Sequence, residues 1–231
     1  MDKVKVFFDS VSLSQEHGSR GIGYYADNLL AELKKIKDIK LVDSAKEADV
    51  VHIPYFDFFY NTLKFYPNKK NVITIYDTIP LIYPAHYPLG LKGIINFIKQ
   101  KRKLSQIDAV ITISETSKKD IVRFLNISQE KIFPIHLAAN SIYKKLKPGE
   151  WESVITKKYN LPAKFVLYVG DVNYNKNLSS LASACVQVNV SLVIVGERAT
   201  QKNIDIDHIE NKSFAQFLET FGNNPRILRL G

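Results

Sequence analysis

Two charged side chains follow predicted strands, at positions where α/β proteins place their chemistry. Asp77 comes directly after the strand predicted over 71–76, and Lys176 comes shortly after the strand predicted over 165–169. Ligands of α/β proteins bind at the carboxyl edge of the sheet, and a lysine there is a mobile point charge that suits phosphate. Both residues are therefore site candidates. A turn-capping aspartate and an ordinary surface lysine are the structural alternatives.

The residues around Lys176 predict a strand, a tight turn at Gly170 and a helix. The run over 165–169 is apolar throughout, which is typical of a parallel strand covered on both faces. Asn177 is the predicted N-cap of the helix. A second buried strand over 190–196 completes a βαβ unit. The amides at the start of such a helix point towards the carboxyl edge, where anions bind.

The N-terminal stretch predicts a second turn of this kind. A strand over 3–9 is followed by a loop with Gly18, Gly21 and Gly23, and then by a helix. Glycines allow a backbone to approach a ligand closely, and the helix N-terminus adds partial positive charge. The spacing matches neither the dinucleotide-binding fingerprint nor the P-loop. A flexible loop without a ligand is the alternative.

His52 and Tyr55 lie at the end of the strand predicted over 50–54. Tyr55 begins an aromatic run that continues to Tyr60. Aromatic faces suit sugar rings or lipid tails, so this run could form the wall of an acceptor site, but aromatic residues more often pack in a core. A strand-end histidine is likewise more common than a catalytic one.

Residues 89–107 predict an amphipathic helix with a cluster of lysine and arginine near its end. Its apolar face consists of Leu91, Ile94, Ile95 and Ile98. The cations suit a helix C-terminus, and they could also bind an anionic membrane surface. Both interpretations stay open. Residues 117–120 predict the capping box of the next helix.

Composition indicates an ordinary globular protein with an anionic partner. The 231 residues are 45% hydrophobic and 24% charged, with a net charge of +9. No nucleic-acid motif is visible, so a phosphorylated metabolite or an acidic lipid is the expected partner rather than nucleic acid. The single cysteine, Cys185, predicts a buried thiol without a disulfide or cysteine-bound metal. With no signal peptide or membrane-spanning run in the sequence, we expect a cytoplasmic protein.

Five segments in their order resemble the family-4 retaining glycosyltransferases of the GT-B fold, and the mannosyltransferase-like bacterial members most of all. The segments are 21–33, 73–84, 111–121, 167–181 and 192–197. The resemblance extends over essentially the whole chain. It implies an α/β protein with an N-terminal Rossmann-like acceptor-side domain over 1–147. It also implies the first part of a second Rossmann-like domain, for the nucleotide-sugar donor, over 148–231, with the boundary at Pro148 and Gly149.

The resemblance also implies roles for individual residues. Lys176 matches the lysine of the family's Arg-Lys pair, which neutralises the departing diphosphate. Asp77 matches the aspartate of the His-Asp step beside the donor sugar. Gly21 and Gly23 would let the first helix approach the diphosphate, and Glu197 would line the nucleotide pocket. No metal or other cofactor is then expected.

Three departures from the family pattern concern the donor site, which Gly170 would also line. Asn175 stands where the family usually has arginine, and Tyr76 stands where many members have histidine. The hydroxyl of Tyr76 can still donate a hydrogen bond. The family's Glu-x7-Glu element would fall beyond Gly231, so we expect a truncated chain, a gene fragment or one subunit of a split enzyme.

The activity implied is transfer of a hexose, mannose or glucose, from a nucleotide-diphosphate sugar with retention at the anomeric carbon. GDP-mannose is the first candidate donor. A growing polysaccharide or a lipid-linked glycan at the inner membrane face is the implied acceptor. The alternative is a non-catalytic fragment or split subunit that binds a nucleotide, or a partner chain that completes the C-terminal domain.

Overall fold

The computed structural model describes residues 2–10, 13, 21–147, 149–150, 152–201, 204–205 and 208–231. The chain divides into two compact units, one formed by residues 1–84 and 88–141 and the other by residues 85–87 and 142–231. The boundary predicted from the sequence lies at Pro148, which is outside the described residues. Each unit contains one wholly parallel sheet with helices between its strands, and the predicted α/β class is confirmed.

The first unit contains a six-stranded sheet in the order β2-β1-β3-β4-β5-β6. Its strands are β1 (Val4–Phe8), β2 (Ile39–Val42), β3 (Val50–Ile53), β4 (Lys70–Thr74), β5 (Ala109–Thr112) and β6 (Ile132–Pro134). Its helices are α1 (Gly21–Leu33), α2 (Ile79–Ile82), α3 (Gly90–Leu104) and α4 (Glu115–Leu125). The strand order reverses between β1 and β3, whose ends are in register at Phe8 and His52. Such a switch point is where open α/β sheets bind ligands.

The core of the first unit explains why its central strands are apolar. Val51, Ile73 and Val110, from three adjacent strands, are fully buried together with Ile121 of α4. A parallel strand with neighbours on both sides and helices on its faces has almost no solvent-exposed surface, so β-branched apolar residues fill it.

Two helix starts in this unit differ from the sequence predictions. The capping box predicted at 117–120 is wrong, because α4 begins one turn earlier and Ser114 caps it, accepting a hydrogen bond from the Ser117 amide at 3.0 Å. Gly21 and Gly23 lie inside the first turn of α1 and not in a loop before it. Gly18, which was predicted in the same loop, lies outside the described residues.

The second unit contains a three-stranded sheet in the order β7-β8-β9. Its strands are β7 (Phe165–Val169), β8 (Ser191–Val195) and β9 (Ile227–Leu230), and its helices are α5 (Glu152–Tyr159), α6 (Leu178–Gln187) and α7 (Lys212–Phe221). The core lies between β8 and the two helices α6 and α7. It includes Leu192 and Ile194, Phe214 and Phe217, and the free thiol of Cys185, which is buried as predicted.

One sequence prediction about this unit is wrong, and another is confirmed in position only. The strand β7 is not covered on both faces, because among the described strands it pairs only with β8 and exposes Val166, Leu167 and Val169. Asn177 is the N-cap residue of α6, as predicted, but it does not cap the helix through its side chain. It adopts a left-handed conformation with φ of 50°, and its side chain makes no capping hydrogen bond to α6. The residue instead turns the chain into the helix through its backbone.

Candidate functional site

The carboxyl edge of the first unit carries a buried polar chain at the switch point. The Asp9 amide donates to the His52 carbonyl at 2.8 Å, and the Tyr66 hydroxyl donates to Asp9 Oδ2 at 2.6 Å. His52 Nε2 lies 2.9 Å from Thr74 Oγ1. Asp9 is absent from the predicted site residues, although it directly follows a strand, which is the signal that singled out Asp77.

His52 is a neutral histidine in this environment. It is 5% exposed, its ring packs edge-on against Phe8 at 5.2 Å, and burial lowers its pKa to about 4. Desolvation disfavours the imidazolium, so the ring stays uncharged around neutral pH. His52 therefore ties the ends of β3 and β4 together, and its predicted acceptor-side role stays a prediction.

Three tyrosines form a cluster at the same edge. The ring of Tyr76 lies 5.2 Å from that of Tyr25 and 6.3 Å from that of Tyr55. The Tyr76 hydroxyl donates to the Pro54 carbonyl at 3.2 Å. Burial raises the pKa of Tyr76, with a further contribution from Tyr25 and Tyr55, so the phenol remains a neutral donor. The structure thus brings together Tyr55 and Tyr76, and adds Tyr25, which the sequence did not single out.

Asp77 lies two residues before the first residue of α2, the short helix that follows β4. Its Oδ1 accepts a hydrogen bond from the Ile79 amide at 3.0 Å, which is the turn-capping geometry weighed in the sequence analysis. The carboxyl is half-buried and adjoins Tyr76 in the chain. Its catalytic role stays a prediction.

Gly21 and Gly23 occupy the first turn of α1. Gly23 is buried and Gly21 is exposed, and a Cβ placed on Gly21 would meet no described atom within 4 Å. The described residues therefore do not require glycine at position 21 for packing. The predicted approach to a diphosphate stays a prediction for both.

In the second unit, adjacent strands end in glycines whose backbones lie in close contact. Gly170 follows β7 with φ of +147°, a conformation that side chains rarely adopt. A Cβ on Gly196, which follows β8, would collide with the Gly170 carbonyl oxygen. Only glycine fits at Gly196 without a backbone shift. The two positions leave bare backbone at the carboxyl edge, next to the exposed Glu197.

Lys176 lies in a short 3-10 turn, Tyr174–Lys176, between β7 and α6. Its side chain is exposed, and within the described part of the chain no hydrogen bond or ion pair engages its ammonium group. A pocket of about 190 Å³ adjoins the turn and is lined by Asn173, Tyr174, Asn177, Ser179 and Phe214, among others. The predicted donor-side lysine therefore lies on a turn that borders a recess with both polar and apolar walls.

The turn that carries Lys176 is fastened by residues distant in the sequence. The Tyr87 hydroxyl donates to Asn175 Oδ1 at 2.7 Å, and the ring of His86 stacks on Tyr174 with 3.3 Å between centroids. Asn175 therefore accepts a hydrogen bond at the position where the family usually has arginine. Its donor-binding role stays a prediction. No local pattern could have indicated a partner 88 residues away.

Arg198 is a further cation at this edge that the sequence did not single out. Its guanidinium donates to Asn173 Oδ1 at 3.1 Å and also to Asn211 Oδ1. It joins the turn after β7 to the start of α7 and follows Glu197 in the chain. No motif or spacing in the sequence marks Arg198, in contrast to Glu197 before it.

The described residues contain neither a metal-binding cluster nor a membrane-spanning helix. No group of three or more histidine, cysteine, aspartate and glutamate side chains there is arranged to hold a metal ion. Within the same residues, no helix has both the length and the apolar content needed to cross a bilayer.

The sequence is similar to that of a known mannosyltransferase. O-antigen chain mannosyltransferase B of Escherichia coli is 27% identical over 136 residues, which are 56% of this chain and 35% of that protein. The matched region thus spans about a third of the length of that relative. No protein-family model matches the chain.

Solved structures with a similar fold are glycosyltransferases. HepE of Anabaena, crystallised with UDP-glucose, superposes with a TM-score of 0.59 at 14% identity, over 98% of this chain and 68% of that one. Sucrose-phosphate synthase of Thermosynechococcus elongatus superposes with a TM-score of 0.55 at 14% identity, over 95% of this chain and 51% of that one. The predicted GT-B fold is confirmed, and the chain is a glycosyltransferase-like protein.

Proposed function

We propose that the chain transfers a hexose from a nucleotide-diphosphate sugar to a glycan acceptor. The observation that carries this proposal is the carboxyl edge of the second unit. There Lys176 is exposed, the backbone at Gly170 and Gly196 is bare, and a recess with polar and apolar walls adjoins the turn. A diphosphate needs such an arrangement, because backbone can approach it closely and a cation can neutralise it. The similarity to a mannosyltransferase favours the same function.

The reaction requires stabilisation of the departing diphosphate. The bond between the anomeric carbon and the diphosphate oxygen breaks, and the acceptor hydroxyl oxygen bonds to the same carbon. The hydroxyl proton leaves with the nucleoside diphosphate. Lys176 would stabilise the negative charge that develops on the leaving oxygens, which is the contribution a metal ion makes in other transferases. We therefore propose that transfer proceeds without a metal and with retention of configuration.

The first unit would contribute polar groups for the sugar and the acceptor. Asp77 and Tyr76 adjoin each other at the carboxyl end of β4, and Tyr55 packs beside Tyr76. The neutral phenol of Tyr76 suits a sugar hydroxyl, and aromatic faces suit a sugar ring. Gly21 and Gly23 would bring the α1 amides towards the phosphates.

Mannose from GDP-mannose is the proposed substrate, since the sequence relative named above is a mannosyltransferase. UDP-glucose is the second candidate, because the HepE structure was determined with it. We propose a polysaccharide or a lipid-linked glycan as the acceptor. Nuclear magnetic resonance of the product would test retention, since inverted stereochemistry at the new glycosidic bond would contradict it.

Calorimetric titration of this chain with GDP, UDP, GDP-mannose and UDP-glucose tests the donor site. We expect one nucleotide to bind, and Lys176→Ala to weaken its binding by about 1.5–3 kcal/mol, the usual size of a hydrogen bond to a charged group. The matched control is Lys164→Ala. It removes the same charge from an exposed lysine at the opposite end of β7 and should leave the affinity unchanged.

The same titration in EDTA addresses the metal. We expect the same nucleotide affinity with and without the chelator. In a separate activity assay, the rate of hexose transfer should also be unchanged, and a loss of transfer in EDTA would contradict the metal-independent mechanism. If Lys176→Ala and Lys164→Ala lowered the nucleotide affinity equally, Lys176 would not be part of a specific binding site. Absence of binding by any of the four ligands to a folded sample would favour the non-catalytic alternative.

A further inference from the structure

Helix α3 turns its most apolar face to solvent. Leu91, Ile94, Ile95 and Ile98 recur at positions i, i+3, i+4 and i+7, which place them on one side of the helix. Their exposed fractions are 84%, 46%, 53% and 49%. This set of four residues is called the apolar stripe below. A surface helix normally directs such a stripe at the core, so this one is inverted.

Polar residues on the opposite side fix the rotation of the helix. Gln100 is fully buried, and its amide donates to the Asp57 carbonyl at 2.7 Å and accepts from the Leu63 amide at 3.0 Å. Asn96 donates to the Phe59 carbonyl at 3.1 Å. Rolling the helix to bury the apolar stripe would leave these groups without partners, which is costly for buried polar groups.

Packing at Gly93 adds to these hydrogen bonds. Gly93 is buried on the same side, and a Cβ there would lie 3.2 Å from Leu89 Cβ, at the start of the helix, and 3.8 Å from the Phe59 carbonyl oxygen. The inner face of α3 therefore combines Gly93, Asn96 and Gln100 with Phe97 and Leu104, which pack in the core. The outward direction of the apolar stripe is a property of this packing.

The charges around the apolar stripe are all positive. The helix carries five cations, Lys92, Lys99, Lys101, Arg102 and Lys103, and its sequence contains no aspartate or glutamate. Lys101 and Lys103 donate to the Phe124 and Leu63 carbonyls at 3.0 Å and 2.6 Å. Lys92, Lys99 and Arg102 are exposed and lie beside or in line with the stripe.

We propose that α3 binds the surface of an anionic phospholipid bilayer. The apolar stripe would enter the boundary between headgroups and acyl chains, and Lys92, Lys99 and Arg102 would contact lipid phosphates. The apolar stripe matches the acyl chains of such a bilayer, and the bordering cations, with no carboxylate on the helix, match its negative charge. The lysine stems can lie along the apolar boundary while their ammonium groups remain in water.

The same charges disfavour a second copy of the chain as the occupant. A twofold interface centred on the apolar stripe would bring identical cationic borders together, with no carboxylate on the helix to offset them. The proposal concerns binding to lipid alone and does not depend on the transferase activity.

Flotation with vesicles tests the proposal on the whole chain. The vesicles contain phosphatidylcholine alone or with about 30% phosphatidylglycerol, and the salt concentration is about 50 mM or about 500 mM. We expect flotation with the anionic vesicles at low salt and a marked decrease at high salt. Leu91→Gln/Ile95→Gln and Lys92→Gln/Lys99→Gln should each weaken binding at least about tenfold.

Two double variants serve as matched controls. Val154→Gln/Val188→Gln removes two exposed apolar side chains of the second unit, and Lys34→Gln/Lys37→Gln removes two exposed lysines near the end of α1. Both should bind as the unaltered chain does. Circular dichroism and analytical ultracentrifugation of each variant check folding and oligomeric state.

Three outcomes would overturn the proposal. One is absence of flotation with anionic vesicles. Another is equal binding by the α3 variants and the unaltered chain. The third is a dimer of the unaltered chain that dissociates in Leu91→Gln/Ile95→Gln without any vesicle binding, which would assign the apolar stripe to self-association.

Discussion

The strands β3 and β7 have similar apolar sequences and opposite environments. In β3, Val51 and Ile53 are buried and only Val50 is partly exposed. In β7, Val166, Leu167 and Val169 are exposed, Val169 to 69%. The difference follows from position, because β3 lies between β1 and β4, whereas β7 has β8 as its sole neighbour among the described strands. An apolar run therefore predicts a strand without determining how many neighbours cover it.

The candidate residues of the two units also differ in how far they are buried. In the first unit, His52, Thr74 and Tyr76 are held by hydrogen bonds and ring contacts within a filled core. In the second unit, Lys176 stands exposed on a turn fastened at Asn175. The first unit offers fixed polar groups, and the second offers a mobile charge beside bare backbone.

The largest expected effect comes from truncating one apolar side chain in a covered strand and one in an exposed strand. Ile73→Ala, at a fully buried position of β4, should lower the free energy of unfolding by about 2–5 kcal/mol because it leaves a cavity. Val169→Ala should change it by less than about 0.5 kcal/mol, as at other exposed sites. Hydrogen exchange followed by mass spectrometry assigns each change to its unit.

A large cost for Val169→Ala would break this comparison. It would mean that β7 is covered in solution by another strand or chain, as the expectation of a partner for the second domain requires. Protection of the β7 amides that depends on protein concentration would then point to another copy.

The next effect is a dependence of stability on pH that arises from His52. Its pKa is about 4 in the folded chain and about 6.5 when unfolded, so between these values the unfolded state binds the extra proton. Stability should therefore fall as the pH decreases from about 6.5 to about 4, by up to about 3 kcal/mol. Denaturant titrations at several pH values measure this slope.

His52→Gln should remove this part of the pH dependence. The exposed His136 provides the control, and His136→Gln should retain the slope. If the unfolding free energy of His52→Gln varied with pH as in the unaltered chain, His52 would not be the source of the dependence. The burial of His52 at the switch point would then not keep its ring neutral.

The smallest effect concerns the fastening of the Lys176 turn. Tyr87→Phe removes the hydroxyl that donates to Asn175 and should weaken nucleotide binding by about 0.5–1.5 kcal/mol, the net worth of one neutral hydrogen bond. Tyr143→Phe, at an exposed tyrosine of the same unit, is the control. Unchanged affinity in Tyr87→Phe would show that the hydrogen bond from Tyr87 to Asn175 is not needed to position Lys176.

Much of the architecture followed from local patterns. Strands such as β4 and β8 are apolar runs that end in a polar or glycine residue, so both the strands and the chain positions of Asp77 and Gly196 could be predicted. Helix starts were less predictable. The sequence pattern pointed to a cap at Ser117, and in the structure the cap is Ser114, one turn earlier.

The sequence by itself determined the α/β alternation and the candidate residues at strand ends, because hydrophobic periodicity and turn chemistry act over a few residues. Only the tertiary structure decided that β7 pairs with β8 alone among the described strands, that Tyr87 holds Asn175, and that α3 turns its apolar stripe outward. Each of these depends on contacts between distant segments, such as Gln100 with Leu63. The hydrogen-bond partners of a buried side chain come from segments that are distant in the sequence, so the residues next to it in the chain do not predict them.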